Sequence, residues 1–259
     1  MVAMRKKLLL ALITTGIIIG TACCSSPKEE KEVHIKNVVT ETESSNEKAI
    51  EAEKISEKNT SEKENISTET ADEQKIYSYL QGVKSYEKGL KWTGDWCNIS
   101  AGNQTFSQFG CGICCLSNMY STFSEEECDP SLMYELCKEY TDYNPDSGVG
   151  ALSWSQIDTM CHKLDCPGTL AKKPDDYSEF QKMAKENTTL LVLVSSNNDT
   201  AIWKDVPGHY VNLWLYDESS DQVFLTDSKG PKRNRTYVDL QDVYNALKTS
   251  SSYQIYIIP

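Results

Sequence analysis

The sequence predicts an α+β fold, with helices early in the folded region and an antiparallel sheet after them. Two observations predict it. Apolar residues recur at helical spacing between Ile76 and Glu186, and from Thr189 onward the period becomes two or the apolar run continuous. No long internal repeat is visible, so one order of elements covers the whole region.

Each element has its own signal. Ile76, Leu80 and Val83 predict a helix over 76–91, followed by a loop rich in Trp, Gly and Asn. Cys115, Met119, Tyr120 and Phe123 supply the apolar face of a second helix, Cys111 to Phe123. A third, Asp129 to Tyr140, carries Pro130 in its first turn. Ser153 caps a fourth that runs to about Leu164, and Asp175 to Glu186 gives a fifth. Strands are predicted at 189–195, 209–216, 222–227 and 253–258, with a helix at 240–247 before the last.

Charge divides the chain into three segments. Its 259 residues carry 38 Asp and Glu against 26 Lys and Arg, a formal net charge of −12. That balance argues against a nucleic-acid partner and against attraction to anionic lipid. Residues 1–24 carry three positive charges and no negative ones; residues 25–75 carry eight and fourteen. The remainder, 76–259, carries fifteen and twenty-four, together with all five Trp and eight of the ten Cys. The middle segment has no Gly and no aromatic residue, too little apolar surface to offset the entropy of ordering. Residues 24–75 are therefore expected to be a disordered charged linker and 76–259 a single domain. His34 lies in the linker and is set aside as a catalytic candidate.

Arg5, Lys6 and Lys7 precede an apolar run from Leu8 to Ile19 that exits through small residues to Cys23. This order describes an export signal too short for a comfortable membrane span. Gly20-Thr21-Ala22-Cys23 resembles a bacterial lipoprotein lipobox. The resemblance implies a signal peptide over 1–23, lipid attachment at Cys23, and a domain held at the cell surface outside the cytoplasmic membrane. The alternative is an uncleaved anchor or an ordinary signal peptide. In either case the domain works where disulfides persist.

Chemistry concentrates in two places. Gly110-Cys111-Gly112 enters the second helix, where the positive end of the dipole and free N–H groups favour a thiolate and can stabilise an oxyanion. Glycine there spares the substrate a clash and permits a tight turn. Gly208-His209-Tyr210 opens a strand and Asp227 ends the next, so an imidazole could polarise the thiol while a carboxylate holds its tautomer. Strand parity tests the idea. His209, Val211 and Leu213 share a face, as do Val223, Leu225 and Asp227. An odd hairpin loop, such as Glu218 to Ser220, makes those faces coincide, whereas an even one sets His209 and Asp227 apart.

Together these residues resemble the double-glycine, or bacteriocin-processing, peptidases among the papain-like cysteine peptidases. The match rests on Cys111-Gly112 with Leu116 five residues on, the Gly208-His209 strand, Asp227, a helix and a closing strand, from about Trp92 to Pro259. It implies a papain-like fold, with N-terminal helices packed on a C-terminal antiparallel sheet. It also implies Cys111 as nucleophile, His209 as general base and acid, Asp227 as orienting residue, and an oxyanion-binding Gln. Gln108 and Gln104 are the candidates for that Gln. Ser228-Lys229-Gly230 follows Asp227 where the family often has Pro.

Blander readings accompany each assignment. A cysteine at a helix start is often a buried structural thiol, and Cys114 and Cys115 are rival nucleophiles one turn deeper. Cys161, His162 and Cys166 suggest zinc but lack a fourth ligand, and a disulfide or an exposed His fits better. With Cys111 free, seven domain cysteines remain, which means at least one more free thiol or an intermolecular bond. Trp92, Trp96, Trp154, Trp203 and Tyr210 could line a groove or belong to the core. The expected function is hydrolysis of a peptide or isopeptide bond in a peptide or protein substrate, by a monomer without cofactor or metal. A cell-wall peptide hydrolase or acyltransferase with the same triad is the alternative. A catalytically silent binding or adhesion module is another.

Overall fold

The computed structural model describes residues 69–148 and 150–259. The signal segment with Cys23, the linker as far as residue 68, and His34 lie outside the described residues.

The fold takes in residues that composition assigns to the linker. Thr70 caps a short helix, α1 (Ala71–Lys75), in a reciprocal capping box with Glu73. The Glu69 carboxylate grips Arg235 at 2.6 Å and 2.9 Å, and the same guanidinium bonds the carbonyls of Glu73 and Ile76. Residues 69–75, assigned to the linker by composition, are thus drawn into the fold by one distant arginine.

The helix expected over 76–91 is reduced to α2 (Val83–Glu87). Between Tyr77 and Gln81 the chain instead gives four N–H groups to distant partners: Tyr77 to Thr122 Oγ1, Tyr79 to Asn118 Oδ1, Leu80 to the Trp92 carbonyl and Gln81 to the Ser228 carbonyl. Apolar spacing fits a helix here. Tertiary acceptors outbid it, because each buried N–H needs only one partner of any kind.

A 3-10 turn (Asp95–Asn98) and a two-residue hairpin, β1 (Ser100–Ala101) with β2 (Gln104–Thr105), lead into α3 (Phe106–Phe109) and the central helix α4 (Cys111–Ser124). Helix α5 (Pro130–Tyr140) has Asp129 as N-cap, accepting from the Leu132 N–H, and Pro130 in its first turn. Helix α6 (Trp154–Lys163) starts at a Ser153–Gln156 capping box. Helix α7 spans Tyr177–Glu186 and α8 spans Leu240–Ala246.

The remaining strands are β3 (Thr169–Ala171), β4 (Thr189–Val194), β5 (His209–Asp217), β6 (Gln222–Thr226), β7 (Thr236–Asp239) and β8 (Ile255–Ile258). They form one antiparallel sheet in the order β3-β8-β4-β5-β6-β7. The edge strands β3 and β7 were not anticipated, being short and half-exposed with little apolar periodicity. Both faces of the centre are covered. Val192, Val211, Leu213, Val223 and Leu225 pack with Phe180 of α7 and with Leu240 and Val243 of α8. On the other face α4 lies along β5: the Phe123 ring packs at a tilt against Trp214, and Asn118 donates to Asn212. The α+β architecture, helices first and antiparallel sheet after, is the one expected.

The hairpin β5–β6 resolves the parity question in an unforeseen way. Its loop has four residues, Glu218 to Asp221, with Asp217 opposite Gln222. That even loop alone would separate His209 from Asp227. A bulge then intervenes: Leu215 and Tyr216 oppose Val223 alone, and Leu215 takes the left-handed φ of 45°. Beyond it the register reads Trp214↔Phe224, Leu213↔Leu225 and Asn212↔Thr226, which returns His209 and Asp227 to one face.

Candidate active site

Cys111 is the first residue of α4, at the positive end of its dipole. Gly110 before it has φ −74° and ψ −2°, backbone any residue adopts. Its lack of a side chain is required by packing instead, since a Cβ there would lie 2.4 Å from the Phe106 ring. The expectation that this glycine serves a tight turn is thereby corrected. Gly112 brings the helix close to Leu152 and Tyr210, each 3.4 Å from where its Cβ would stand.

His209 opens β5 and Asp227 follows β6 by one residue. The imidazole Nε2 lies 2.8 Å from Asp227 Oδ1. Because a carboxylate with a lowered pKa only accepts, Nε2 carries the proton and Nδ1 is the nitrogen left for the thiol. The side chain of His209 hydrogen-bonds Cys111, and the N–H groups of Tyr210 and Gly112 also point at the sulfur. Cys111, His209 and Asp227 are 6%, 2% and 0% exposed, so the array sits in a low-dielectric setting.

Asp227 is anchored from several sides. Oδ1 also accepts from the N–H groups of Lys229 and Gly230, at 2.9 Å and 3.0 Å. Oδ2 accepts from the indole of Trp203 at 3.0 Å and from Arg233 Nε at 3.1 Å. The Asp227 N–H donates to Asn234 Oδ1. The Ser228-Lys229-Gly230 run therefore forms a turn that donates to the carboxylate, and the bare Gly230 leaves room for the Arg233 guanidinium.

These contacts set the protonation states. Burial pushes the Cys111 thiol up, but the hydrogen bond and charge of His209 and the two N–H groups outweigh it and hold it below the usual thiol range. Burial pushes His209 down, and the Asp227 charge and hydrogen bond reverse this, raising it to about 9. Asp227 would rise through burial, yet His209, Arg233 and Trp203 hold it well below the ordinary carboxylate range. The favoured state is thiolate, imidazolium, carboxylate. Cys114 and Cys115 differ, because burial and the Cys111 charge push both thiols well above the usual range.

The glutamine candidates are engaged elsewhere. Gln108 is exposed, and its Oε1 accepts from Thr105 N–H as a helix cap. Gln104 Oε1 accepts from the Gly150 N–H, and its Nε2 faces the Gly148 carbonyl at 3.4 Å. Sequence reasoning passed over Gln81, which is 1% exposed. Its Nε2 donates to the Ser107 carbonyl at 2.7 Å, one turn before Cys111, and its Oε1 accepts from Ser228 Oγ at 2.6 Å, beside Asp227. The apolar pattern placed Gln81 inside a helix, and no local signal marks its long-range bonds.

Four of the five aromatics are buried in the core, and Trp92 is half-buried. Trp203 is fully buried against Asp227, and Trp96 donates to the Leu80 carbonyl. Trp154 and Tyr210 meet edge to face at 5.0 Å beside Gly112, whereas Trp92 packs on Tyr77. All eight described cysteines are free thiols. His162 turns its Nδ1 to the carbonyl of Asp158 in its own helix, 2.9 Å away. Among the described residues no group of three metal-ligating side chains gathers, and no helix is long and apolar enough to cross a membrane.

A thiol-bearing central helix packed on an antiparallel sheet, with the imidazole at the start of β5 and the carboxylate just past β6, makes this an α+β fold. No protein-family model and no curated protein matches the chain. Among solved structures it is similar to a candidate C39-like peptidase from Bacillus anthracis, at 15% identity and a TM-score of 0.39, over 58% of this chain and 88% of that one.

Proposed function

We propose that this chain is a cysteine peptidase that cleaves a peptide or isopeptide bond through a thioester on Cys111. One observation carries the reading: Cys111, His209 and Asp227 form a continuous buried hydrogen-bonded chain. The thiolate attacks the carbonyl carbon, and imidazolium His209 gives its proton to the departing amine. Water then attacks the thioester with neutral His209 as base, releasing the acid and restoring the thiolate–imidazolium pair. Asp227 holds the ring and balances its charge throughout. Gln81 is the amide we assign to the oxyanion, since one Nε2 proton is taken by Ser107 and the other is free to meet a substrate oxygen.

The same array performs acyl transfer when an amine replaces water, so the acceptor is decided by assay with and without added amines. We further assign the N-terminus as a lipoprotein signal, with lipid on Cys23 and the acidic segment as tether. Cys23→Ala is expected to release the protein from the membrane fraction.

The test is a peptide-library and muropeptide cleavage screen with Cys111→Ala as blank. Turnover lost in the blank supports the reading. Iodoacetamide should label Cys111 faster than any other thiol, and His209→Ala should slow it. Equal slow labelling of all thiols would overturn the proposal in favour of a silent binding module.

A further inference from the structure

The cysteines that the active site does not use include one pair held together by the backbone. Helix α6 ends in a Schellman-type turn. Asp165 adopts φ 56°, and the Cys166 N–H donates to the Cys161 carbonyl at 2.9 Å, a six-to-one bond across the helix end. That motif brings the side chains at its two ends into contact, where an apolar pair usually sits. Here both are cysteines, and their thiols hydrogen-bond each other.

The two sulfurs differ in access. Cys161 is fully buried, and Tyr256 also bonds its thiol. Cys166 is 7% exposed and opens on a cleft of about 440 Å³ walled by Phe123, Pro167, Thr188 and Ile258. A reagent can reach Cys166 first, while Cys161 waits behind it. His162, the neighbour that suggested metal, faces away along its own helix.

We propose that Cys161 and Cys166 form a second thiol site, which reacts with low-molecular-weight disulfides at Cys166 and closes to an intramolecular disulfide. In the first step the Cys166 thiolate attacks one sulfur of the small disulfide. Cys166 has first given its proton to solvent; the reagent's S–S bond breaks, a Cys166 mixed disulfide forms, and one small thiolate leaves and takes up a proton from solvent. In the second, Cys161 loses its proton to solvent and its sulfur attacks that of Cys166, expelling the second small thiolate. Two protein thiols are oxidised and one small disulfide is reduced to two thiols. The hydrogen bond with Cys166, and then burial, hold the Cys161 thiol well above its usual range, so closure is the slower step. The product ties the end of α6 to the turn that enters β3.

The test uses the full chain as Cys111→Ala, which removes the reactive thiolate, first reduced and then treated with oxidised glutathione. After alkylation and digestion, the peptides containing Cys161 and Cys166 should be joined and lighter by two hydrogens. Cys161→Ser should stop at a glutathione adduct on Cys166, and Cys166→Ser should leave Cys161 unmodified. A persistent adduct on Cys166 with both cysteines present would overturn the proposal. So would oxidation of other cysteines while this pair alkylates as free thiols. Mapping of the chain with both cysteines decides the matter even if a serine variant fails to fold. The outcome does not depend on peptidase activity.

Discussion

Asp227 is shared between two cations, the His209 imidazolium at 2.8 Å and the Arg233 guanidinium at 3.1 Å. How the carboxylate divides between them sets the pH range of the site. Cys111 is held below the usual thiol range, so its thiolate appears at lower pH than an ordinary cysteine's. His209 is raised to about 9, so its proton persists until pH approaches that value. Alkylation of Cys111 is therefore expected to remain fast below the pH at which the other thiols react. Turnover should fall on the alkaline side near pH 9 as the imidazolium is lost. A pH–rate profile checks both limbs. Arg233→Gln leaves more of the Asp227 charge to His209, and the alkaline limb should move up by several tenths of a unit to about one unit. Arg233→Lys should restore it, which a merely structural role would not do. His209→Ala should cost about 10²–10⁴-fold in turnover, measured against the wild type with a cleaved peptide.

At the scale of elements, the bulge in β5 decides whether the triad exists. Alternation along β5 and β6 was readable from the residues, and so was the rule that odd parity is needed. The hairpin achieves it with an even loop and one extra residue, and Leu215 bears the left-handed backbone that this demands. Such a conformation costs a non-glycine residue about 1–2 kcal/mol. Deleting Leu215 should shift the far half of β5 by one position and turn His209 away from Asp227. Cys111 alkylation should then slow at least as much as in His209→Ala, while circular dichroism still reports a folded sheet. Leu215→Gly, which suits the bulge, should keep full alkylation rate. The first turn of α4 was equally legible, because a thiol between two glycines ahead of an apolar helical face is a local pattern. The run from Ile76 to Gln81 was not, since its hydrogen-bond partners lie at Asn118, Thr122 and Ser228.

Across the whole molecule, Arg235 acts as a clasp between the start of the described chain and the β6–β7 connection. Its guanidinium is 9% exposed and bonds the Glu69 carboxylate and the carbonyls of Glu73 and Ile76. Arg235→Ala leaves these acceptors without their donor and should cost about 2–4 kcal/mol, read from denaturant unfolding. A chain starting at Glu69 should keep the melting temperature of the full protein, and one starting at Ile76 should melt lower. Composition set the boundary at residue 75 because Glu-rich sequence has no burial signal. A single long-range ion pair is invisible to it.

The sequence by itself determined the α+β class, the longer helices, the four central strands, a cysteine at a helix start, and a histidine and an aspartate at the ends of neighbouring strands. Those follow from periodicity and end effects that act over a few residues. Only the tertiary structure decided which face His209 shares with Asp227, that Gln81 bridges Ser107 and Ser228, that residues 69–75 join the fold, and that Cys161 meets Cys166. Each depends on a contact or a backbone irregularity whose energy is set by partners far along the chain or by a single left-handed residue. Spacing alone does not contain them.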